Sequence, residues 1–195
     1  LLGLLFVGLS VFNCTRDKTP LNPNEQYSFN DTGPYGNGAE YDVYGVVINS
    51  LFLCEETKLA VAMDSTVIFN LSNQIEYYSG HFPQLDSLLI EDFNLQNSNR
   101  KSLQRVSGLK ANCILLSENV RHEIFDNGWW PEFYKQFPGS SGYISLSSVA
   151  FSKNNQTALL HASSLYGGVG GKGYLILLQK SDEWHISKSL LLWMA

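Results

Sequence analysis

Metal-ligand spacing is missing from this chain. Its four histidines show no H-x-H or H-E-x-x-H pattern, and its three cysteines form no C-x-x-C pair, so no metal site is read from it. Basic runs are missing as well. Charged residues make up only 16% of the chain and the net charge is −5. Without a positive stripe, neither nucleic acid nor an anionic lipid surface is an expected partner. There is no G-x-S-x-G elbow to expose a nucleophilic serine. The scarcity of charge does not signal disorder, because 44% of the residues are hydrophobic. No catalytic residue and no cofactor is assigned from these patterns.

What the sequence does have begins at its start. Residues 1–12 are apolar and carry no charge, and the run stops at Cys14. An apolar core this short matches a secretory signal and falls well below the roughly 20 residues that cross a bilayer. There is no initiator Met and no basic start, so the sequence is expected to open inside the signal. Val11-Phe12-Asn13-Cys14 resembles a bacterial lipoprotein processing box. Val11 meets the aliphatic requirement, while Phe12 and Asn13 stand where small residues are usual. The resemblance implies acylation of Cys14, with palmitate among the chains, and a protein of the bacterial cell envelope on the outer membrane or periplasmic face. Residues 15–38 hold Pro20, Pro23 and Pro34 among Asn, Asp and Gly. Such a stretch buries too little apolar area to offset its ordering entropy and reads as a flexible tether. Residues 39–195 then read as a single domain. Cys54 and Cys113 are an even pair in an export context, which permits a disulfide, but two separate core thiols fit as well.

Periodicity divides that domain. Tyr44, Val47, Ile48 and Leu51 recur at i, i+3, i+4 and i+7, which predicts a helix over 40–54. Alternation predicts a strand over 58–64, with 66–71 able to extend it. A second helix is predicted over 83–96, a strand over 113–116, and a short helix over 129–137 ended by Pro138-Gly139. Four β-like runs follow at 143–152, 157–166, 173–179 and 184–193. Their short connections predict an antiparallel meander. In the first run the alternation of Ile144 and Leu146 changes phase to Val149 and Phe151, which predicts a bulge at Ser147-Ser148. The third run is apolar on both faces and is predicted to be covered on both. The class is α+β, with two or three helices packed on a curved antiparallel sheet that ends in a four-stranded meander.

Several phrases late in the chain resemble a group of uncharacterised bacterial proteins, many with a lipoprotein-type leader. They are Trp130-Pro-Glu-Phe133-Tyr134, Phe137-Pro-Gly-Ser140, Leu146-Ser-Ser-Val-Ala-Phe151, Gly171-Lys-Gly-Tyr174 and the closing Trp193. Asp92-Phe93 and Asn97 fit more loosely. The resemblance implies an envelope location and carries no activity. Cysteines that often flank the glycine turn in that group are replaced here by Gly167 to Gly171.

The remaining candidates are surface features. Gly168-Val-Gly170-Gly-Lys-Gly173 matches G-x-G-x-x-G by letter, but no helix is predicted after it, so it reads as a hairpin and not a dinucleotide site. The crowded aromatics more often form the lid of a core over a small sheet; together with the glycine turn they also nominate a binding surface of Trp129, Trp130, Phe133, Tyr134, Gly168, Gly170 and Lys172. The expected role is a membrane-anchored, non-catalytic binding or scaffolding protein for an unknown envelope protein or ligand. The competing expectation is a small envelope hydrolase using His161 and His185 with nearby acids such as Glu183.

Overall fold

A computed structural model describes residues 34–71, 75–82 and 85–195. The apolar leader, Cys14 and nearly all of the tether lie outside the described residues, as does Pro83. Helix α1 (Ala39–Val47) runs directly into a π-helical turn, Ile48–Phe52. Then come β1 (Leu59–Met63), α2 (Ile75–His81), α3 (Ser87–Gln96), β2 (Asn112–Leu116), α4 (Glu118–Asn127) and α5 (Trp129–Gln136). The last third is β3 (Ser140–Leu146), β4 (Ala150–Phe151), β5 (Thr157–Tyr166), β6 (Gly170–Lys180) and β7 (Trp184–Met194).

The protein is α+β. Seven strands among the described residues form one sheet in the order β2-β1-β3-β5-β6-β7, with β4 paired to β5. The meander is antiparallel as expected, from β3 through β5 and β6 to β7. The other half is not: β1 pairs with both β2 and β3 in parallel. The reason lies in the connections. Helices α2 and α3 intervene between β1 and β2, and α4 and α5 between β2 and β3. A helical crossover returns the chain to the same end of the sheet, which makes the next strand parallel. The sheet is therefore mixed, and more helices pack on it than the periodicity predicts. Residues 66–71 add no strand; only an isolated bridge joins Ser65 to Ser102.

Both faces of the sheet are covered, because alternate residues of the meander feed different cores. Ile176 and Leu178 of β6, with Ala158, Leu160 and Ala162 of β5, pack against Val43, Tyr44, Val47 and Ile48 of the first helix. Leu175, Leu177 and Leu159 point the other way, onto Leu89, Ile90 and Phe93 of α3. On that same second face, β1 and β3 contribute Val61 and Tyr143 to a third cluster with Ile124, Trp130 and Phe133 of α4 and α5. The second face thus carries two helical layers, α2/α3 over the meander and α4/α5 over the parallel strands.

Local chemistry sets the element ends. Asp86 is extended and its carboxylate accepts the Leu89 N–H at 2.9 Å, so α3 begins at Ser87 and not near Pro83. Ser117 caps α4 by accepting from Val120 N at 3.3 Å. The predicted bulge falls where β3 ends and β4 begins. There Ser147 N makes a last backbone bond to His161 O at 2.9 Å, the backbone of Ser148 and Val149 then leaves the ladder, and side chains take over its bonding. Buried Asn97 accepts from Ser148 N at 2.7 Å and donates to Ser148 O at 3.1 Å and to Phe93 O at 2.9 Å. Glu40 Oε1 accepts from Val149 N at 3.2 Å, and the Tyr44 hydroxyl lies 2.9 Å from Ser147 O. Burial, with the Glu40 carboxylate beside it, raises the Tyr44 pKa far above its ordinary value and keeps it protonated, so its one proton is shared between Glu40 Oε1 at 2.8 Å and Ser147 O. Replacing Asn97 with alanine removes three hydrogen bonds and strands the buried Ser148 N–H, while Phe93 O keeps the residue-97 backbone N–H and Ser148 O keeps the Ser147 hydroxyl. The expected loss is about 2–3 kcal/mol of unfolding free energy, read from urea melts of the variant and the parent chain.

Candidate functional site

The nominated aromatic surface splits by burial. Trp130, Phe133 and Phe137 recur along one side of α5 and sink into the third core cluster. Phe133 is fully buried and Trp130 is 6% exposed, so neither belongs to a surface. Tyr134 is half-buried. Trp129 alone of these faces solvent, at 56% exposure. It has a positive φ of 59°, which turns its side chain away from the stripe that follows.

The glycine turn and the aromatic helix are one unit. The Trp130 indole N–H donates to Gly168 O at 3.0 Å. Gly167 and Gly168 both have positive φ, and Gly170 N–H donates to Gly167 O at 3.0 Å, closing the turn between β5 and β6. Val169, at the tip, is 85% exposed. Trp129 and Val169 therefore stand one residue on either side of a single hydrogen bond that ties α5 to the turn.

Lys172 is a correction. Strand alternation turns it inward, onto the face covered by the first helix, where it is only 4% exposed. It lies opposite Ser164 in the sheet, and its ammonium donates to Leu51 O at 3.1 Å, near the end of the π-helical turn. The Phe52 and Tyr174 rings sit 5.7 and 5.5 Å from it. Helix ends leave carbonyls without intrahelical donors, and a lysine supplies one here. Burial pulls its pKa down to about 8. Lys172 closes a helix end inside the protein and offers nothing to a surface ligand. Cys54 and Cys113 are separate thiols, not bridged to one another, and the Cys54 sulfur lies 3.0 Å from the Thr57 hydroxyl.

The two histidines of the competing reading are not brought together. His161 pairs with Leu175 of β6, whereas His185 pairs with Gln179. Four residues of β6 separate those positions, about 13 Å along the strand at the usual rise. His185 and Glu183 are exposed, and His161 is buried. Glu55 and Glu56 are both exposed too, and Glu91 and Asp92 lie along α3 with Glu91 in solvent. Among the described residues no group of three or more His, Cys, Asp or Glu could hold a metal ion. No helix among them is long and apolar enough to cross a membrane.

No family model, curated protein or solved structure matches this chain.

What geometry adds concerns His161 itself. The residue is 5% exposed, and neither Nδ1 nor Nε2 has a hydrogen-bond partner among the described residues. It stacks on Phe69, with centroids 4.2 Å apart and planes 5° from parallel. Burial pulls its pKa down to about 4, so the imidazole is neutral at neutral pH. Two residues along β5 on the same face is Ser163, paired across the sheet with Ser145 of β3 and Gly173 of β6. Trp193 of β7 ends that row, pairing with Gly173 and resting its indole on it. Phe69 and Ser145 carry no signal in the sequence. Ser145 joins this group through the pairing of β3 with β5, and Phe69 because Val67 N bonds Leu146 O at the end of β3 and the loop then crosses the second face.

Proposed function

We propose that this chain is a lipid-anchored binding protein of the bacterial cell envelope, without a catalytic role in the sites the sequence nominates. Acylated Cys14 would hold it at the membrane, and residues 15–38 would space the domain from the lipid. Two acyl chains give firm anchoring, at about 0.8 kcal/mol per buried CH₂. The partner is a protein of the envelope, docking on Trp129 and Val169. The observation that carries this reading is the 3.0 Å bond from Trp130 to Gly168 O. It ties the helix that carries an exposed tryptophan to the turn that carries an exposed β-branched residue, and fixing a turn in this way lowers the entropy cost of ordering it on binding.

Two experiments test it. In cells fed an alkyne fatty acid, the chain should take up label and its Cys14→Ala variant should not. For docking, a photo-crosslinking residue replaces Val169 and captures the neighbour in intact cells. Trp129→Ala combined with Val169→Asp should weaken the complex recovered with that neighbour about tenfold or more, with an unchanged melting temperature. Equal capture by the variant removes this surface from consideration.

A further inference from the structure

We propose that His161, Ser145, Ser163 and Trp193, walled by Phe69 and floored by Gly173, form a binding site for a small neutral polyhydroxylated molecule of the saccharide class. The site is separate from the Trp129 surface and independent of the lipid anchor.

The polar groups come first. Ser145 and Ser163 are buried at 8% and 6% exposure, in register with each other on the second face of the sheet. His161 lies on the next rung of β5, and both its nitrogens are unpartnered. Gly173 completes the Ser145–Ser163 row. A Cβ there would collide with the Trp193 indole nitrogen, and one at Gly171 would come within 3.0 Å of the same ring. Glycine at these two positions lets the indole lie against β6, with its N–H over the end of the serine row. Trp193 is 36% exposed and forms the rim open to solvent.

The chemistry narrows the ligand. A buried polar group without a partner costs roughly 1–3 kcal/mol, so an apolar ligand would leave that cost in place. A charged ligand would be desolvated with no counter-ion. The cations of the neighbouring elements are engaged elsewhere: Lys172 faces the opposite side of the sheet on Leu51 O, Lys188 lies over the Phe82 ring, and Arg121, beside Tyr143, is paired with Glu118 at 2.6 Å. What remains is a neutral molecule that both donates and accepts. Each serine hydroxyl does both, a neutral imidazole offers one nitrogen of each kind, and the indole donates. Flanking rings that cover apolar C–H surface while hydroxyls bond at the edge suit a saccharide ring. The site lies between the α2/α3 and α4/α5 layers, a usual place for ligands.

The test is an NMR titration of the purified protein. The probes are methyl glucoside, methyl galactoside and N-acetylglucosamine, with benzoate as the charged and toluene as the apolar comparison. The expected result is a saturable shift of the Trp193 indole N–H and the His161 ring signals with at least one saccharide. Affinity should fall about tenfold in His161→Phe and in Ser163→Ala, with both variants still giving a folded spectrum. His161→Phe keeps an aromatic ring against Phe69, and Ser163→Ala is the second arm should the first variant misfold. No saturable shift with any of the three saccharides overturns the proposal. So does a response to benzoate or toluene alone, or equal affinity in the folded variants.

Discussion

Phe133→Ala is expected to lower the unfolding free energy by about 4 kcal/mol, the upper range for truncating a buried aromatic. Phe133 has no exposed surface and sits at the centre of an aromatic group. Its ring lies 5.3 Å from Trp130, 4.9 Å from Phe137, 5.4 Å from Tyr134 and 6.0 Å from both Phe125 and Tyr143. These neighbours come from α4, α5 and β3, so no one element can shift to fill the space. A cavity then remains, and its cost adds to the lost transfer energy. For a protein of this size the melting temperature should fall by roughly 10 °C. Trp129→Ala on the same helix is the control. Its side chain is 56% exposed, and its expected change stays within about 0.5 kcal/mol. Matching losses from the two substitutions would mean that α5 presents the opposite face. Because Trp130 also anchors the glycine turn, Phe133→Ala should expose the β5–β6 hairpin to protease at Gly167 to Gly170 as well.

The second large effect is on pH. His161 has a folded-state pKa of about 4 against about 6.5 in the unfolded chain. Between these values the unfolded chain binds the proton that the fold rejects. Stability therefore rises with pH across this window. The neutral ring's contribution is complete above pH 6.5 and is lost as pH falls to 4. The span amounts to about 3 kcal/mol. Burial is the whole cause, since no charged group is paired with the ring. Glu118 acts lower down. Arg121 holds its carboxylate below the usual range, so its share is lost only as pH falls past the ordinary carboxylate value. Melts of the parent chain between pH 7 and pH 4 should show the loss, and His161→Phe should flatten it. A variant with the same slope as the parent would assign the acid sensitivity elsewhere. At pH 7 the phenylalanine variant should be as stable as the parent or more so, because it removes two unpaired polar atoms from the interior. A residue kept at that cost is what a binding site requires of its scaffold.

Much of the architecture was legible from local patterns. The stripe Tyr44, Val47, Ile48 and Leu51 marks the first helix, although its end tightens into a π turn. The alternating runs mark β5, β6 and β7 to within a few residues. The phase change after Leu146 marks the break that Asn97 clamps. Helix α4 escaped because its only apolar side chains are Val120, Ile124 and Phe125; the signal was Ser117, a capping residue one place before it. The parallel half of the sheet escaped because strand direction is set by what lies between two strands, and of the crossover helices only α3 and α5 carry a clear apolar stripe. Trp130 lies in the core, as an aromatic cluster over a small sheet more often does, whereas the burial of Lys172 is hidden in one dimension because a glycine-rich turn looks exposed there.

The chain's own periodicities determined its class, the meander and the double covering of β6, because those depend on side chains a few residues apart. Burial of Lys172, separation of His161 from His185, and the meeting of Ser145, Ser163, His161 and Trp193 were decided only in three dimensions. Each depends on register between strands, and register is set by packing on both faces of the sheet at once.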